Sequence, residues 1–543
     1  MHWTSRSRHK RFGLAALMTA LVAVAFVTGG WLSRPEPDAN GTVYQQARLF
    51  EDVLTAIRRH YVDSISETDL YFRATKGIVE HLNDPYSALL ADDSYRRYTE
   101  QLSGNWDGLG VQLELRAGKL YVATVTPGSP AARDGIAAGD QLLAIDSVPA
   151  KGLNLGQAAE ALRGDAGTSV LLHLRRSGAG DPVVHRVVRA PIHVPAASGV
   201  LLENGVGVVA LSGITSSAVA EFSRAVDSLR AEGMTSLVLD LRHNRGGFVR
   251  QGVTIADLLL DEGLPIGTLE GRTAEETVTY FATDAQPWPG LRLAVLVNGG
   301  TASSAEIIAG ALQDHDRAVI VGTPSYGKGA VQSTVALGRD IALKLTTARW
   351  LTPSGRSVQR PVQLPKDDDI RRAAGLAPAA RADEPAPERW FLTGNGRPVR
   401  DASGIEPDLM VGAAPEHAGA SAISRALGGD LSPFRDAVDS LVASLDSTAA
   451  SPAAEPLANS LLARLRSDGF GISDQVWARA RSFVEQALGD EVARRFAGES
   501  ELRRRALARD EQLQTAVSVL SEPGRLESLL SRREASPAPH PQP

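Results

Sequence analysis

The stretch Val295–Gln332 reads VLVNGGTASSAEIIAGALQDHDRAVIVGTPSYGKGAVQ. It predicts a buried strand, a turn of small residues that contains Ser303 and Ser304, and a helix that begins at this turn. A second apolar run follows the helix and leads into a glycine-flanked lysine, Lys328, with Gln332 four residues later. A serine at a strand-to-helix turn exposes its hydroxyl beside unpaired backbone N–H groups, and a buried lysine can act as its base. The pattern indicates a serine/lysine hydrolase.

The composition of the whole chain excludes several other classes of protein. Its 543 residues have room for about three or four domains. The net charge of −6 gives no reason to expect a nucleic-acid partner. With no cysteine, the chain cannot use disulfides, cysteine-ligated zinc or a thiol nucleophile. It contains neither a His-Glu-x-x-His pair nor a P-loop, so we expect no metal and no cofactor.

The N-terminus predicts a membrane segment over residues 1–34. Four basic residues precede an uncharged, mostly apolar run, Phe12–Leu32, which has about the ~20 residues needed to cross a bilayer. Basic residues stay on the cytoplasmic side, so we expect an anchor in a bacterial inner membrane with the bulk of the chain facing the periplasm. Val27–Gly30 is a poor cleavage site, and a soluble protein released by signal cleavage is the alternative.

Hydrophobic patterning divides the rest of the chain into segments. We predict a helical arm (43–103), a β-rich domain (104–190), an α/β core (191–413) with a loose insertion (366–389), a linker (414–456), a helical C-terminal region (457–535) and a disordered tail (536–543). Further strands are predicted at Ile341–Trp350 and Glu406–Val411, and the apolar core strands at Gly207–Leu211, Ser236–Leu241, Leu293–Val297 and Ala318–Val321. Their continuous apolar character indicates a sheet that is covered on both faces.

The β-rich segment resembles a PDZ domain. Gly108-Leu109-Gly110-Val111 leads into a predicted strand, and the runs 125–131 and 139–145 follow in the order that this domain requires. The resemblance implies that the backbone N–H groups of Leu109, Gly110 and Val111 hold the terminal carboxylate of a peptide that adds to the sheet as a strand. A domain with a tight turn and no ligand is the alternative.

The larger part of the chain resembles the carboxy-terminal processing peptidases, a serine/lysine family with an inserted PDZ domain. The match covers about Val43–Val411 and includes Asn83–Ser87 and Asp240–Gly247. It implies an α/β peptidase core with a crotonase/ClpP-like sheet.

Alignment on Glu306 places Ser303 at the family's nucleophile position. The second hydroxyl, Ser304, stands where the family usually has alanine and is the alternative nucleophile. Lys328 matches the general base and Gln332 the residue that orients it. The lysine must be neutral at pH 7, which requires a pKa about 3 units below its usual ~10.4. Glutamine can hold the amine without adding a charge that would raise that pKa.

The same resemblance suggests the donors of the oxyanion hole. They are the backbone N–H of Ser304 and that of Gly246 or Gly247, since glycines allow close approach to the developing charge. Arg245 stands where the family usually has proline, which puts an additional cation near the site.

Four other polar residues are expected to have ordinary structural roles. We expect Glu306 to complement the helix dipole. Asp314 and Asp316 are expected to be solvated, and His243 to be a loop residue.

The resulting hypothesis is an envelope endopeptidase that cleaves proteins near their C-termini. Its partners would be peptides with free C-termini and the membrane, with a homo-oligomer as an open alternative to a single chain. One competing hypothesis is a catalytically inactive PDZ scaffold. Another is a crotonase-like acyl-CoA enzyme, which the export signal and the PDZ domain disfavour.

Overall fold

A computed structural model describes residues 43–116, 118–176, 181–361, 389–412, 418–445, 454–522 and 524–531. The predicted anchor (1–34), nearly all of the predicted insertion (366–389) and the predicted tail (536–543) lie outside these residues. Within the described residues, no helix is both long and apolar enough to cross a bilayer. The chain divides into two compact units, 1–82 and 83–543.

The first unit contains two helices, α1 (Val43–His60) and α2 (Glu67–Glu80). The side chain of Ser66 accepts a hydrogen bond from the N–H of Asp69 and so caps α2. Leu54 is among the few buried apolar side chains of this unit.

The second unit contains a short strand within the segment 43–103 that we predicted to be a helical arm. This strand, β1 (Ala88–Ala91), pairs antiparallel with Ile341–Leu351. It precedes α3 (Asp92–Ser103). The prediction was wrong here because a four-residue apolar run carries no periodicity, and pairing with a distant strand decides its conformation.

Two paired strands, β2 (Asn105–Gly108) and β9 (Ala190–His193), stand where the chain enters and leaves the β-rich domain. Between them lie β3 (Val111–Arg116), β4 (Lys119–Val125), α4 (Pro130–Arg133), β5 (Gln141–Ile145), β6 (Val148–Pro149), α5 (Leu155–Leu162), β7 (Ser169–Arg175) and β8 (Val183–Val188). The sheet order is β3-β4-β5-β7-β8, with β6 on β5, so β3 lies at an edge. The segment between β2 and β9 is therefore rich in strands, as its sequence pattern indicated.

The core follows the predicted alternation of strands and helices. In chain order it contains β10 (Ala197–Leu201), β11 (Val206–Leu211), α6 (Ala218–Ala231), β12 (Ser236–Asp240), α7 (Val249–Asp257), β13 (Pro265–Glu270), β14 (Val278–Phe281), β15 (Arg292–Val297), α8 (Ser304–Asp314), β16 (Val319–Gly322), β17 (Ala330–Ala336), β18 (Ile341–Leu351), β19 (Trp390–Leu392), β20 (Pro398–Arg400) and β21 (Leu409–Met410). Two sheets result, one ordered β10-β11-β12-β15-β16-β21 and the other β1-β18-β13-β14 with β17 on β18. From β11 to β21 the first sheet is parallel.

Both faces of the parallel sheet are buried, as predicted. Alternate residues such as Val209, Leu239 and Val295 pack with α6, α7 and α8. Their neighbours, such as Val208 and Val238, pack against apolar residues near the C-terminus of the chain. This two-sided burial explains the continuous apolar strands.

The C-terminal helices are α9 (Ala418–Ala426), α10 (Ser432–Ala443), α11 (Ala454–Ser467), α12 (Asp474–Phe496), α13 (Glu499–Arg509), α14 (Glu511–Ser521) and α15 (Arg525–Leu530). The first two lie in the stretch 414–456 that we predicted to be a linker, so that prediction was wrong. Phe434, Val438 and Val442 recur every four residues and are buried, which gives α10 the apolar face of a packed helix.

Helix α14 covers the second face of the core sheet. Its apolar residues, such as Leu513 and Leu520, are fully buried against that face. Arg242, just after β12, donates hydrogen bonds to Asp240 and to Asp510, the residue that caps α14. Helix α14 is therefore a layer of the core.

Candidate active site

Ser303 lies at the turn between β15 and α8, in a backbone conformation that is rare for a residue with a side chain. Its φ is 59° and its ψ is −125°. Such strain persists only where the surrounding structure enforces it, and it is common at reactive turns. Ser303 remains partly exposed, whereas Ser304 is completely buried and its hydroxyl has no hydrogen-bond partner among the described residues. Of the two hydroxyls, only that of Ser303 can meet a substrate.

Glu306 holds this turn and the lysine loop together. Its Oε2 accepts the backbone N–H of Ser303 at 2.8 Å and that of Lys328 at 2.9 Å. Its Oε1 accepts the N–H of Gly327 at 2.7 Å and the hydroxyl of Ser325. One carboxylate thus fixes the spacing of the two segments that carry the proposed nucleophile and base.

Glu306 is completely buried, and this burial raises the pKa of its carboxyl group. The four hydrogen bonds that the carboxylate accepts act in the opposite direction. Our expectation that Glu306 only complements the helix dipole was therefore incomplete. A usable signal was present in the sequence: a serine followed three residues later by glutamate is the pattern of a capping box, and here the glutamate reaches back to the N–H of Ser303.

The loop after β12 lies directly against the Ser303 turn. The buried side chain of Asn244 fixes it, since Nδ2 donates to the carbonyl of Leu211 and Oδ1 accepts the N–H of Gly246. A Cβ at Gly246 would come within 2.8 Å of the Cβ of Ser303. Only glycine therefore allows this approach.

Because the N–H of Gly246 already donates to Asn244, it is not a free oxyanion donor, and that part of our expectation needs correction. The N–H groups of Gly247 and Ser304 have no acceptor within the described residues. These two remain the candidate donors.

Lys328 is the most perturbed amine near the site. Burial and, to a smaller extent, the charge of Lys344 lower its pKa from 10.5 to about 8, although the charges of Glu306 and Asp84 act in the opposite direction. Its Nζ lies 5.1 Å from the centre of the Tyr86 ring. A pKa near 8 leaves about a tenth of the amine neutral at pH 7, so the lysine can act as a base.

The loop Asn83–Ser87 supplies two of these neighbours. Asp84 accepts hydrogen bonds from the Ser87 hydroxyl and the Tyr86 N–H. Burial alone would raise the pKa of Asp84, but these hydrogen bonds, together with one from the Thr346 side chain and the charge of Lys328, outweigh it and lower the pKa. The Ser87 hydroxyl in turn accepts the N–H of Thr346 on β18, which ties this loop to the sheet beside the lysine.

Sequence reasoning missed Lys344, which faces the same region from β18. It pairs with Thr334 on one side and Ala88 on the other, and burial lowers its pKa as well. No local pattern signals this residue, because strand register alone places it there.

The structure does not join all the predicted catalytic side chains. No hydrogen bond connects Ser303 Oγ with Lys328 Nζ in the described residues. Gln332 donates its amide N–H to Thr346 at 3.2 Å and does not hold the lysine amine. Its orienting role stays a prediction.

The carboxylate loop of the β-rich domain has the expected geometry. Gly110 has φ 80°, and a Cβ there would lie 2.2 Å from that of Ser129. The carbonyls of Leu109 and Gly110 accept hydrogen bonds from the domain, whereas their N–H groups have no acceptor among the described residues. Val111 then begins β3, whose outer edge is unpaired in the described sheet. A peptide carboxylate and an added strand fit this arrangement.

Two other expectations were wrong. Asp314 and Asp316 are buried and paired, Asp314 with Arg356 at 2.9 Å and Asp316 with Arg397 at 2.6 Å. Burying a carboxylate is tolerable because each arginine satisfies it with charge-assisted hydrogen bonds. His243 lies in a loop, as expected, and its ring hydrogen-bonds the Asn298 amide.

Comparisons with known proteins show which families the chain is similar to. The model of peptidase family S41 matches residues 205–368, and a PDZ domain model matches residues 121–176. The carboxy-terminal-processing protease of Bartonella bacilliformis is 32% identical over 356 residues, which cover 64% of this chain and 77% of that protein. The carboxy-terminal processing protease CtpA of Bacillus subtilis is 30% identical over 356 residues, 65% of this chain and 76% of that protein. The solved photosystem II D1 C-terminal processing protease superposes with a TM-score of 0.37 at 24% identity, over 68% of this chain and 93% of that one.

Proposed function

This chain belongs to peptidase family S41, and from that membership we infer that it is a serine endopeptidase that cleaves protein substrates near their C-termini with Ser303 and Lys328. The main support for the proposal is that Glu306 accepts hydrogen bonds from the backbone of both the Ser303 turn and the Lys328 loop. We call this pair of hydrogen bonds the Glu306 clamp. The curated relatives named above are carboxy-terminal processing proteases.

In the proposed reaction, Ser303 Oγ attacks the peptide carbonyl while Lys328 Nζ takes its proton. The N–H groups of Gly247 and Ser304 stabilise the oxyanion, at about 3 kcal/mol for each donor. Lys328 then gives the proton to the leaving amine, and water hydrolyses the acyl-enzyme. The lysine amine must first move from the Tyr86 ring towards Ser303, and catalytic hydrogen bonds of this kind often form only with substrate bound.

In this proposal the PDZ domain selects the substrate. The free N–H groups of Leu109 and Gly110 bind the terminal carboxylate, and the edge of β3 accepts the preceding residues as a strand. A substrate amidated at its C-terminus therefore loses binding.

We further propose that residues 1–34 anchor the chain in a bacterial inner membrane. This proposal is supported by the cluster of basic residues that precedes the apolar run Phe12–Leu32. Extraction of the full chain from membranes by detergent but not by high salt would support the anchor, and recovery in the soluble periplasmic fraction would favour signal cleavage. The crotonase/ClpP-like shape of the core and assembly into homo-oligomers stay predictions.

The function is tested by incubating the purified chain with an unstructured protein that has a free C-terminus and identifying the products by mass spectrometry. We expect C-terminal fragments from the wild type, and none from Ser303→Ala or Lys328→Ala. Binding without cleavage by the wild type would favour the inactive scaffold.

A further inference from the structure

A cavity of about 450 Å³ lies beside the proposed oxyanion loop and is lined by several separate parts of the chain. Helix α3 forms one wall, strand β2 and the end of α5 form another, and the loop after β12 forms a third, with the residues that follow β9 and β11 completing the lining. Its charged lining residues are Arg97, Glu100, Arg163 and Arg245, with Trp106 and Gly246 between them. Three arginines against one glutamate give the cavity an excess of positive charge.

Two of these arginines have no partner of their own. Arg97 and Arg245 are exposed and form no ion pair or hydrogen bond within the described residues. The third, Arg163, has a buried Nη1 without a hydrogen bond, and its nearest carboxylate oxygen, Glu100 Oε2, is 3.5 Å away. Guanidinium groups offer planar N–H donors that match a carboxylate, so this lining suits an anionic group that enters the cavity.

The position of the cavity indicates which part of a substrate would reach it. One wall includes Gly246, next to the candidate oxyanion donors, and another includes Trp106, three residues before the carboxylate loop. A substrate with its C-terminus on that loop and its scissile carbonyl at Ser303 runs between these two points. The residues beside the cavity then lie on the C-terminal side of the cleaved bond.

We propose that this cavity is a specificity subsite for an acidic side chain located downstream of the cleaved bond, with Arg245 as its main contact. The inference rests on the proposed peptidase function and names the substrate class for it: C-terminal segments that carry Asp or Glu. The cavity is open to solvent, so the preference is modest, about five- to tenfold, as for partly exposed carboxylate–arginine pairs.

The test uses peptides with free C-termini that differ only by Glu, Gln or Lys at each of the first four positions after the cut. For the wild type we expect kcat/KM to be about five- to tenfold higher with Glu at one of these positions, and the difference to shrink in high salt. Arg245→Gln should reduce the ratio to within about twofold, and Arg245→Glu should reverse it in favour of Lys. The matched control is Arg250→Gln, which removes an exposed arginine five residues away and outside the cavity, and should keep the wild-type ratio.

Equal rates for Glu and Gln at every position, or a preference that survives Arg245→Gln and Arg97→Gln together, would overturn the subsite. If no peptide is cleaved at all, the peptidase function fails, and the subsite is then judged by fluorescence anisotropy with Ser303→Ala. In that assay the Glu peptide should bind about fivefold more tightly than the Gln peptide, and equal binding would reject the subsite independently of catalysis.

Discussion

The backbone N–H groups of Ser303 and Lys328 donate to the same atom, Oε2 of Glu306, over 2.8 and 2.9 Å. A single buried carboxylate therefore sets the distance between the turn that presents the hydroxyl and the loop that presents the amine. The constraint acts through the backbone, so it holds whether or not the two side chains are in contact. Because only the backbone is held, the side chain of Lys328 can move from the Tyr86 ring towards Ser303.

The first prediction concerns this clamp. Glu306→Gln replaces one acceptor oxygen with an N–H₂ group, which cannot accept and opposes a backbone N–H. We expect kcat/KM to fall about 100-fold and the free energy of unfolding to fall by about 2–4 kcal/mol, the cost of leaving buried donors unpaired. Peptide cleavage and chemical denaturation measure the two effects. The control Glu262→Gln, at an exposed position, should change neither; wild-type kinetics for Glu306→Gln would show that the clamp is not needed.

The second prediction concerns stability and pH. The folded pKa of Lys328 is about 8 against 10.5 for an ordinary lysine, so the unfolded chain binds more protons between these values and stability rises with pH across this window. Below pH 8 the full cost of the buried ammonium is present. Lys328→Met should therefore stabilise the protein by up to about 3 kcal/mol at pH 7, while abolishing cleavage. Chemical denaturation of the wild type and Lys328→Met at pH 7 and pH 10 tests this prediction. If the variant's gain in the free energy of unfolding were as large at pH 10 as at pH 7, the gain would not come from removing a buried ammonium.

The third prediction compares the two neighbours of the Lys328 amine. The Tyr86 ring favours the ammonium form, so Tyr86→Leu should shift the pH–kcat/KM profile to lower pH by about half a unit. The charge of Lys344 disfavours that form, so Lys344→Met should shift the profile to higher pH by a similar amount. Initial rates from pH 6 to 10 give both apparent pKa values. Shifts of the same sign in the two variants would reject this electrostatic account.

How far could this site be predicted from the sequence? The strand and helix around Ser303 were predictable, because β15 is continuously apolar and α8 begins at a turn of small residues. The position of Lys344 was not, because it depends on the register of β18 against two strands from distant parts of the chain. The burial of Asp314 was missed for the same reason, since its arginine partner lies 42 residues away.

The fourth prediction concerns the C-terminal layer. Arg242 and Asp510 form an ion pair of 2.6 Å that joins the end of β12 to the cap of α14. Arg242→Met leaves two partly buried carboxylates without their common partner, and we expect it to lower the free energy of unfolding by about 3 kcal/mol. Limited proteolysis should then release a C-terminal fragment faster than in the wild type. Unchanged stability and proteolysis would mean that apolar burial under α14 suffices.

The most direct test of the central claim is fluorophosphonate labelling of Ser303, followed by intact-mass measurement and peptide mapping. We expect one adduct per wild-type chain, on Ser303, with labelling that slows as the pH falls below 8, and no adduct in Ser303→Ala. The matched control Ser304→Ala should label at the wild-type rate and be about 1 kcal/mol more stable, because it removes a buried hydroxyl without a hydrogen-bond partner. Labelling that persists in Ser303→Ala, or disappears in Ser304→Ala, would contradict the assignment of the nucleophile.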